Sequence, residues 1–296
     1  MGSPDFAVPS LRSLTEYFSV VGVVTQPDRP AGRGRIVSAP PVKHLATDLG
    51  IPVIQPRRLS KDLDAMAQLL AWDPDLIVVA AFGQILKPDV LELPAHGCLN
   101  VHGSLLPRWR GAAPLSAAIL HGDRETGITI MKMDAGMDTG PIISQRAISI
   151  RDDDTAGSLF NKMADLGAKL LVETIPAYLQ GEMMPEPQDD ALATYAPMLK
   201  KADGELDFNQ TAAYLTRQVR AYHPWPGTFF KIAGTQLKVQ AAHSIGNPSP
   251  GIGNLTIVDG LPAVGTVDGI LVLDQVQPAG KKSMPGDVYL RGVRQW

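Results

Sequence analysis

The sequence predicts two folded parts: an α/β domain built on a doubly wound parallel sheet, then a smaller domain of short β-strands. Three observations carry this. In the first two thirds, β-branched apolar runs alternate with segments of helical periodicity. At residues 182–198 (EMMPEPQDDALATYAPM) the composition turns to proline, acid and small residues, as a linker does. Beyond Pro226 the apolar runs are short and separated by Gly, Pro and Asn, the spacing of a barrel or sandwich. A length of 296 residues also fits two domains at roughly 150 each.

In order, helical spacing is expected over Val8–Phe18, and Ser19–Thr25 is a β-branched run. Helices follow at Val42–Leu49 and Lys61–Trp72. Leu76–Phe82 is apolar throughout, as a strand covered on both faces should be. Cys98–His102 and Ile128–Met133 read as shorter strands, with a helix at Pro114–His121 between them. A long helix is expected over Thr155–Leu179, where Leu159, Phe160, Met163, Leu166, Leu170, Leu171 and Ile175 recur at helical spacing behind Asp153, Asp154 and Thr155. After a helix near Thr211–Ala221, strands are expected at Thr228–Ile232, Gln236–Ala241, Gly265–Val267, Ile270–Val276 and Gly286–Leu290. Strands joined through helices imply parallel pairing with crossovers.

Composition narrows the function classes. With 45% hydrophobic and 19% charged residues the chain is an ordinary globular protein, which excludes wholesale disorder. No run of about 18 apolar residues exists, so no membrane helix is expected. Cys98 is the only cysteine, which excludes an intrachain disulfide or a thiolate zinc cluster and suits a reducing, cytoplasmic setting. No basic and apolar leader opens the chain, so secretion is not expected. Net charge is −3, but residues 1–196 carry 17 Lys and Arg against 23 Asp and Glu, whereas residues 197–296 carry 10 against 7. The basic C-terminal part, with Lys200, Lys201, Lys281, Lys282, Arg291 and Arg294, is compatible with a phosphate-contacting face.

Three segments carry candidate chemistry. In Cys98–Pro114 (CLNVHGSLLPRWRGAAP), Asn100 and His102 lie two apart, so on a strand both project to one face. An amide can donate to a developing oxyanion, and an imidazole can move a proton near neutral pH. A lone N-x-H is otherwise most often a histidine satisfied in the core. In Met133–Pro141 (MDAGMDTGP), a carboxylate could pair with His102 or could merely hold a turn. Spacing does not separate Asp134 from Asp138. In Thr25–Pro41 (TQPDRPAGRGRIVSAPP), Arg29, Arg33 and Arg35 stand among Gly and Pro, suited to phosphate capture or simply to a solvated loop. The glycine fingerprints of nicotinamide-binding and P-loop proteins are absent.

These residues resemble a known family. GSPDFAVPSL, TQPDRPAGRGR, LNVHGSLLPRWRGAAP and MDAGMDTGPI, with RAYHPWPGTFF and QPAGKKSMPGDVYLRG near the C-terminus, are similar to the methionyl-tRNA formyltransferases over essentially the whole chain. The resemblance implies a Rossmann-like formyltransferase domain over residues 1–181, a linker over 182–198, and a C-terminal β-barrel of the oligonucleotide-binding type over 199–296 that contacts tRNA. It implies transfer of a formyl group from 10-formyltetrahydrofolate to the methionine of initiator methionyl-tRNA. Asn100, His102 and Asp138 would be catalytic, which favours Asp138 over Asp134. Ser104, Leu105, Leu106 and Pro107 would line the folate site, with Phe82 a further apolar wall. Arg33, with Arg29 and Arg35 beside it, would engage the tRNA acceptor end, and Lys200, Lys201, Lys281 and Lys282 would meet phosphates. No metal is implied, and a monomer is expected.

One departure stands out. Relatives begin with a short apolar strand before the G-[ST]-P-D-F motif, whereas here Met1 directly precedes Gly2. Either the sheet has an open central slot or the start lies upstream; a misplaced start is expected. Two rival readings remain. A purine-nucleotide or nucleotide-sugar formyltransferase would share the catalytic trio, but the purine enzyme lacks the appended domain and the sugar enzymes lack the arginine loop. A non-catalytic tRNA-binding protein would not need the intact trio.

The arginine loop yields a first prediction. Arg33→Lys keeps the charge but loses the planar fork. Measured with charged initiator tRNA, kcat/KM should fall by about 1–3 kcal/mol, while folate binding stays unchanged.

Overall fold

The computed structural model describes residues 1–31, 36–246, 248–293 and 296, so Arg33, Arg35 and Arg294 lie outside the described residues. The first part of the chain runs α1 (Val8–Tyr17), β1 (Val23–Val24), β2 (Arg29–Ala31), β3 (Ile36–Ser38), α2 (Pro41–Asp48), β4 (Val53–Ile54), α3 (Leu63–Ala71), β5 (Ile77–Val79) and α4 (Pro88–Leu91). It continues through β6 (Cys98–His102), β7 (Arg110–Gly111), α5 (Pro114–His121), β8 (Glu125–Lys132), β9 (Ile142–Ser149) and α6 (Ala156–Leu179). Local sequence explains the boundaries. A proline stands in the opening turn of α1, α2, α4 and α5, where no intrahelical N–H is lost. The Asp62 side chain caps α3 by accepting from Ala65 N, and Gly122 ends α5 in the left-handed region.

Two compact units are present. One comprises Met1–Gly111, Thr126–Ile148 and Phe160–Tyr195; the other comprises Ala112–Glu125, Ser149–Leu159 and Ala196–Trp296. In the first unit, β1 pairs with β4 and β5 with β6, both parallel, and β8 joins β6 antiparallel with β9 beyond it. Its core gathers Val24, Leu69, Ile77, Val79, Phe82 and Cys98.

Between β1 and β5 lie Met1 and Gly2. Gly2 N donates to Val24 O at 3.1 Å, and Ala80 N donates to Met1 O at 2.9 Å. The Met1 α-ammonium donates to Val78 O at 2.6 Å, and burial lowers its pKa to about 6. Gly2 is confined so closely that a Cβ there would lie 2.6 Å from Ala80 O. Beside these residues the layer opens into a cavity of about 300 Å³, lined by Leu11, Val21, Trp72, Leu76, Val78 and Ile175 among others. This explains why two expected strands are short. Ser19–Thr25 contributes only Val23–Val24, and Leu76–Phe82 only Ile77–Val79, because Ser19–Gly22 and Leu76 border the cavity and not a neighbouring strand.

The rest of the chain runs β10 (Tyr195–Ala196), α7 (Ala212–Ala221), β11 (Thr228–Ile232), β12 (Thr235–Ile245), β13 (Leu255–Val258), β14 (Leu261–Gly265), β15 (Ile270–Pro278), β16 (Met284–Pro285) and α8 (Gly286–Arg291). In the second unit, strands β11-β12-β15-β14-β13 form an antiparallel sheet with β16 on β15. Leu215, Val219, Phe230, Val239, Leu271 and Leu273 fill its core. Two expectations are overturned: the strand read at Gly265–Val267 is instead Leu261–Gly265, because the chain turns after it with Thr266 N donating to Gly269 O, and Gly286–Leu290 is not a strand but the body of α8. Pro285 at its N-cap, Asp287 in its first turn and the Arg291–Asp287 pair one turn apart favour helix over the short alternation Val288-Tyr289-Leu290.

Cys98 is 1% exposed and its Sγ lies 3.6 Å from Val90 O. Burial pushes the thiol up to about 12. Native protein should therefore leave a disulfide reagent such as DTNB unreacted at pH 8, and release one equivalent of chromophore on unfolding.

Candidate active site

Strand β6 exposes one face to the site and buries the other. Leu99 and Val101 are packed on one face, while Cys98, Asn100 and His102 share the other, with Asn100 opposite Met131 and His102 opposite Thr129 of β8. The chain then leaves the sheet and turns back through Gly103–Arg108 to β7, a short strand that is not part of that sheet.

Buried polar groups hold this return. Thr129 Oγ1 donates to Ser104 O at 2.6 Å and accepts from Leu106 N at 3.1 Å. Gln145, from β9, donates through Nε2 to Leu106 O at 2.8 Å and to Thr129 Oγ1 at 2.9 Å. Ser104 Oγ donates to Arg108 O at 2.7 Å. Trp109 lies at φ 62°, a conformation costing a bulky residue about 1–2 kcal/mol. It is held there because its N–H donates to Thr194 Oγ1 at 2.9 Å and its carbonyl oxygen lies 3.0 Å from His102 Nε2.

That last contact decides the imidazole. A carbonyl oxygen can only accept, so Nε2 carries the hydrogen and Nδ1 of the neutral ring is the basic nitrogen. Nδ1 is 3.6 Å from Asp138 Oδ1. The same oxygen is 3.4 Å from Asn100 Nδ2, and Asp138 Oδ2 accepts from Gly111 N at 2.9 Å. Asp134, left open by spacing, is separated by geometry. Its carboxylate is exposed and accepts from Gly136 N and Thr139 Oγ1 inside its own loop. A Cβ on Gly140 would lie 1.9 Å from Lys132 O, so the loop closes tightly onto β8.

The other expected residues are placed unevenly. Ser104–Pro107 follow the pair directly, with Ser104 and Leu106 buried and Leu105 and Pro107 half-buried. Phe82 is 2% exposed, its ring in the core of the sheet and not on an open wall. Arg29 is exposed and donates to Gln26 Oε1 at 2.9 Å. Lys200, Lys201, Lys281 and Lys282 are exposed in the second unit. Sequence reasoning missed Thr129, Gln145, Arg110 and Gln188, which surround the site without spacing signals of their own. Among the described residues no three His, Cys, Asp or Glu side chains gather as a metal-ligand group, and no helix is long and apolar enough to cross a membrane.

Comparison with known proteins shows the family of the chain. A formyl transferase family model matches residues 7–175, and a formyl transferase C-terminal domain model matches residues 198–294. The chain is 48% identical to methionyl-tRNA formyltransferase of Myxococcus xanthus, over 99% of this chain and 93% of that protein. It is 45% identical to the enzyme of Bacillus subtilis over the same shares. Among solved structures it resembles WlaRD, a sugar 3N-formyl transferase, with TM-score 0.68 and 21% identity, over 95% of this chain and 97% of that one. An N-formyltransferase of Helicobacter canadensis gives TM-score 0.67 and 20% identity over 94% and 97%.

The hydroxyl of Thr129 has a measurable role. Thr129→Val would leave the buried Leu106 N–H and Ser104 carbonyl without it, at about 1–3 kcal/mol each. Urea denaturation should show stability lowered by about 2–4 kcal/mol, with Thr129→Ser recovering most of the loss.

Proposed function

The chain belongs to the formyl transferase family, among the methionyl-tRNA formyltransferases, and we infer that it moves a formyl group from 10-formyltetrahydrofolate to the α-amino group of methionine on initiator tRNA. The observation that supports the chemistry is the meeting of Asn100, His102 and Asp138 on one face of β6, in a chain nearly half identical to such enzymes over its whole length. We assign the transfer to residues 1–181 and tRNA contact to residues 199–296, joined by 182–198. We place the enzyme in the cytoplasm and read it as a monomer.

The formyl donor supplies an electrophilic carbon: the α-amino nitrogen bonds to it, the bond from that carbon to N10 breaks, and the proton taken from the amine is passed to the departing N10. Each residue then has a task set by its geometry. One hydrogen of the Asn100 amide is directed at Asp138, and the second is left for the formyl oxygen as it becomes negative. Such a donor contributes about 3–4 kcal/mol to the transition state. His102 accepts the proton of the attacking amine at Nδ1, since Nε2 already donates to Trp109 O. Asp138 faces the imidazolium so formed and stabilises it, while Gly111 N fixes its other oxygen. Ser104–Pro107, tied down by Thr129 and Gln145, give the folate a wall that does not have to reorganise on binding. Arg29, with Arg33 and Arg35, and the four lysines supply the tRNA contacts, which set affinity and salt dependence more than base choice.

Asn100→Ala, His102→Ala and Asp138→Ala should each lower kcat by about 100-fold or more, roughly 3 kcal/mol, with unchanged circular dichroism. The assay is formyl transfer to charged initiator tRNA, with a purine ribonucleotide and an amino-sugar nucleotide run as rival acceptors. Preference for either rival would overturn the assignment of substrate.

A further inference from the structure

Arg110 is a cation at 2% exposure whose fork is shared between an amide, Gln188, and the exposed carboxylate of Asp190. Its Nε and Nη2 donate to Gln188 Oε1 at 3.0 and 2.8 Å, and Nη2 also reaches the exposed Asp190 at 2.7 Å. Gln188 in turn donates through Nε2 to Asp138 O at 2.9 Å and to Gly140 O at 2.7 Å. The amide thus has both hydrogens on the loop that carries Asp138, and its oxygen on the arginine fork.

Two features make this more than packing. Asp138 lies at φ 54°, left-handed backbone that Asp tolerates better than most residues but that contacts on the loop help to fix. Gln188 grips the main chain on both sides of Thr139, next to the left-handed residue. The partner chosen for Arg110 is also informative. A glutamate at 188 would pair better with a buried guanidinium, but it would set a carboxylate against two carbonyl oxygens. An amide satisfies both sides. Meanwhile the residue after Arg110, Gly111, donates its N–H to the Asp138 carboxylate. Both ends of Asp138 are therefore tied to one dipeptide, the main chain through Gln188 and the side chain directly.

We propose that Gln188, oriented by the buried Arg110, is a positioning residue for Asp138, so that a segment with the composition of a linker sets the geometry of proton transfer. This rests on the reading of Asp138 as a catalytic group. Gln188→Glu keeps an acceptor for Arg110 and removes both donors to the loop. Steady-state formylation, run well below the melting temperature of the variant, should show kcat lowered about 10- to 100-fold and KM for tRNA and folate within about twofold.

The same substitution in an Asp138→Ala background should cause no further loss, because nothing remains to be positioned. If Gln188→Glu does not fold, Gln188→Met, of similar length and volume, carries the same comparison. An equal drop in both backgrounds, or a kcat within twofold of the parent, would overturn the proposal. Full turnover in Asp138→Ala alone would overturn the reading of the site itself, and with it this proposal.

Discussion

The 3.0 Å contact between His102 Nε2 and the carbonyl oxygen of Trp109 governs the site. It assigns the ring hydrogen to one nitrogen and leaves the other facing Asp138. For the carbonyl to be there, the chain after β6 must turn back and wind Trp109 into a left-handed conformation. Thr194, which accepts from Trp109 N, and Arg108, whose guanidinium lies 4.3 Å over the Trp109 ring, keep it wound. Asp138, which spacing left level with Asp134 and the family resemblance favoured, is thereby free to answer the charge that forms on the ring.

The surroundings follow one rule, that buried polar groups come in closed sets. Thr129 is wholly buried, yet its hydroxyl donates once and accepts twice. Arg110, almost as hidden, is met by the acceptor side chains of Gln188, Asp190 and Tyr195. Each set ties a loop to a strand or to another loop. Removing one member leaves the others desolvated without a partner, so these residues act as units and not as separate contributions.

Much of this was legible in the sequence, and the gaps have physical causes. Cys98–His102 and Pro114–His121 emerge as read, because glycines bracket the strand and a proline and a glycine bracket the helix. That Asn100 and His102 share a face follows from the period of a strand. Which aspartate answers them does not, since it depends on where a distant main-chain N–H, that of Gly111, meets the loop. The partnership of Arg110 with Gln188 spans 78 residues and has no local signature. Phe82 was read as a wall from its type alone, whereas the fold needs its bulk inside. In the second unit, the β13–β14 hairpin is not among the expected elements, although its turn carries the Asp259-Gly260 dipeptide with both residues at positive φ.

The path of the chain through its two cores has a consequence for how the protein can be divided. The backbone passes from one unit to the other after Gly111, Glu125, Ile148, Leu159 and Tyr195. Helix α5, encoded amid the first unit, packs with α7 of the C-terminal stretch, and Arg217 Nε donates to Leu120 O at its end. A gene spliced at codon 196 would hand one fragment α5 with a bare apolar flank and the other α7 without its mate. The two cores are distinct bodies, but as text they are interleaved, so the molecule is inherited and translated as one indivisible sentence.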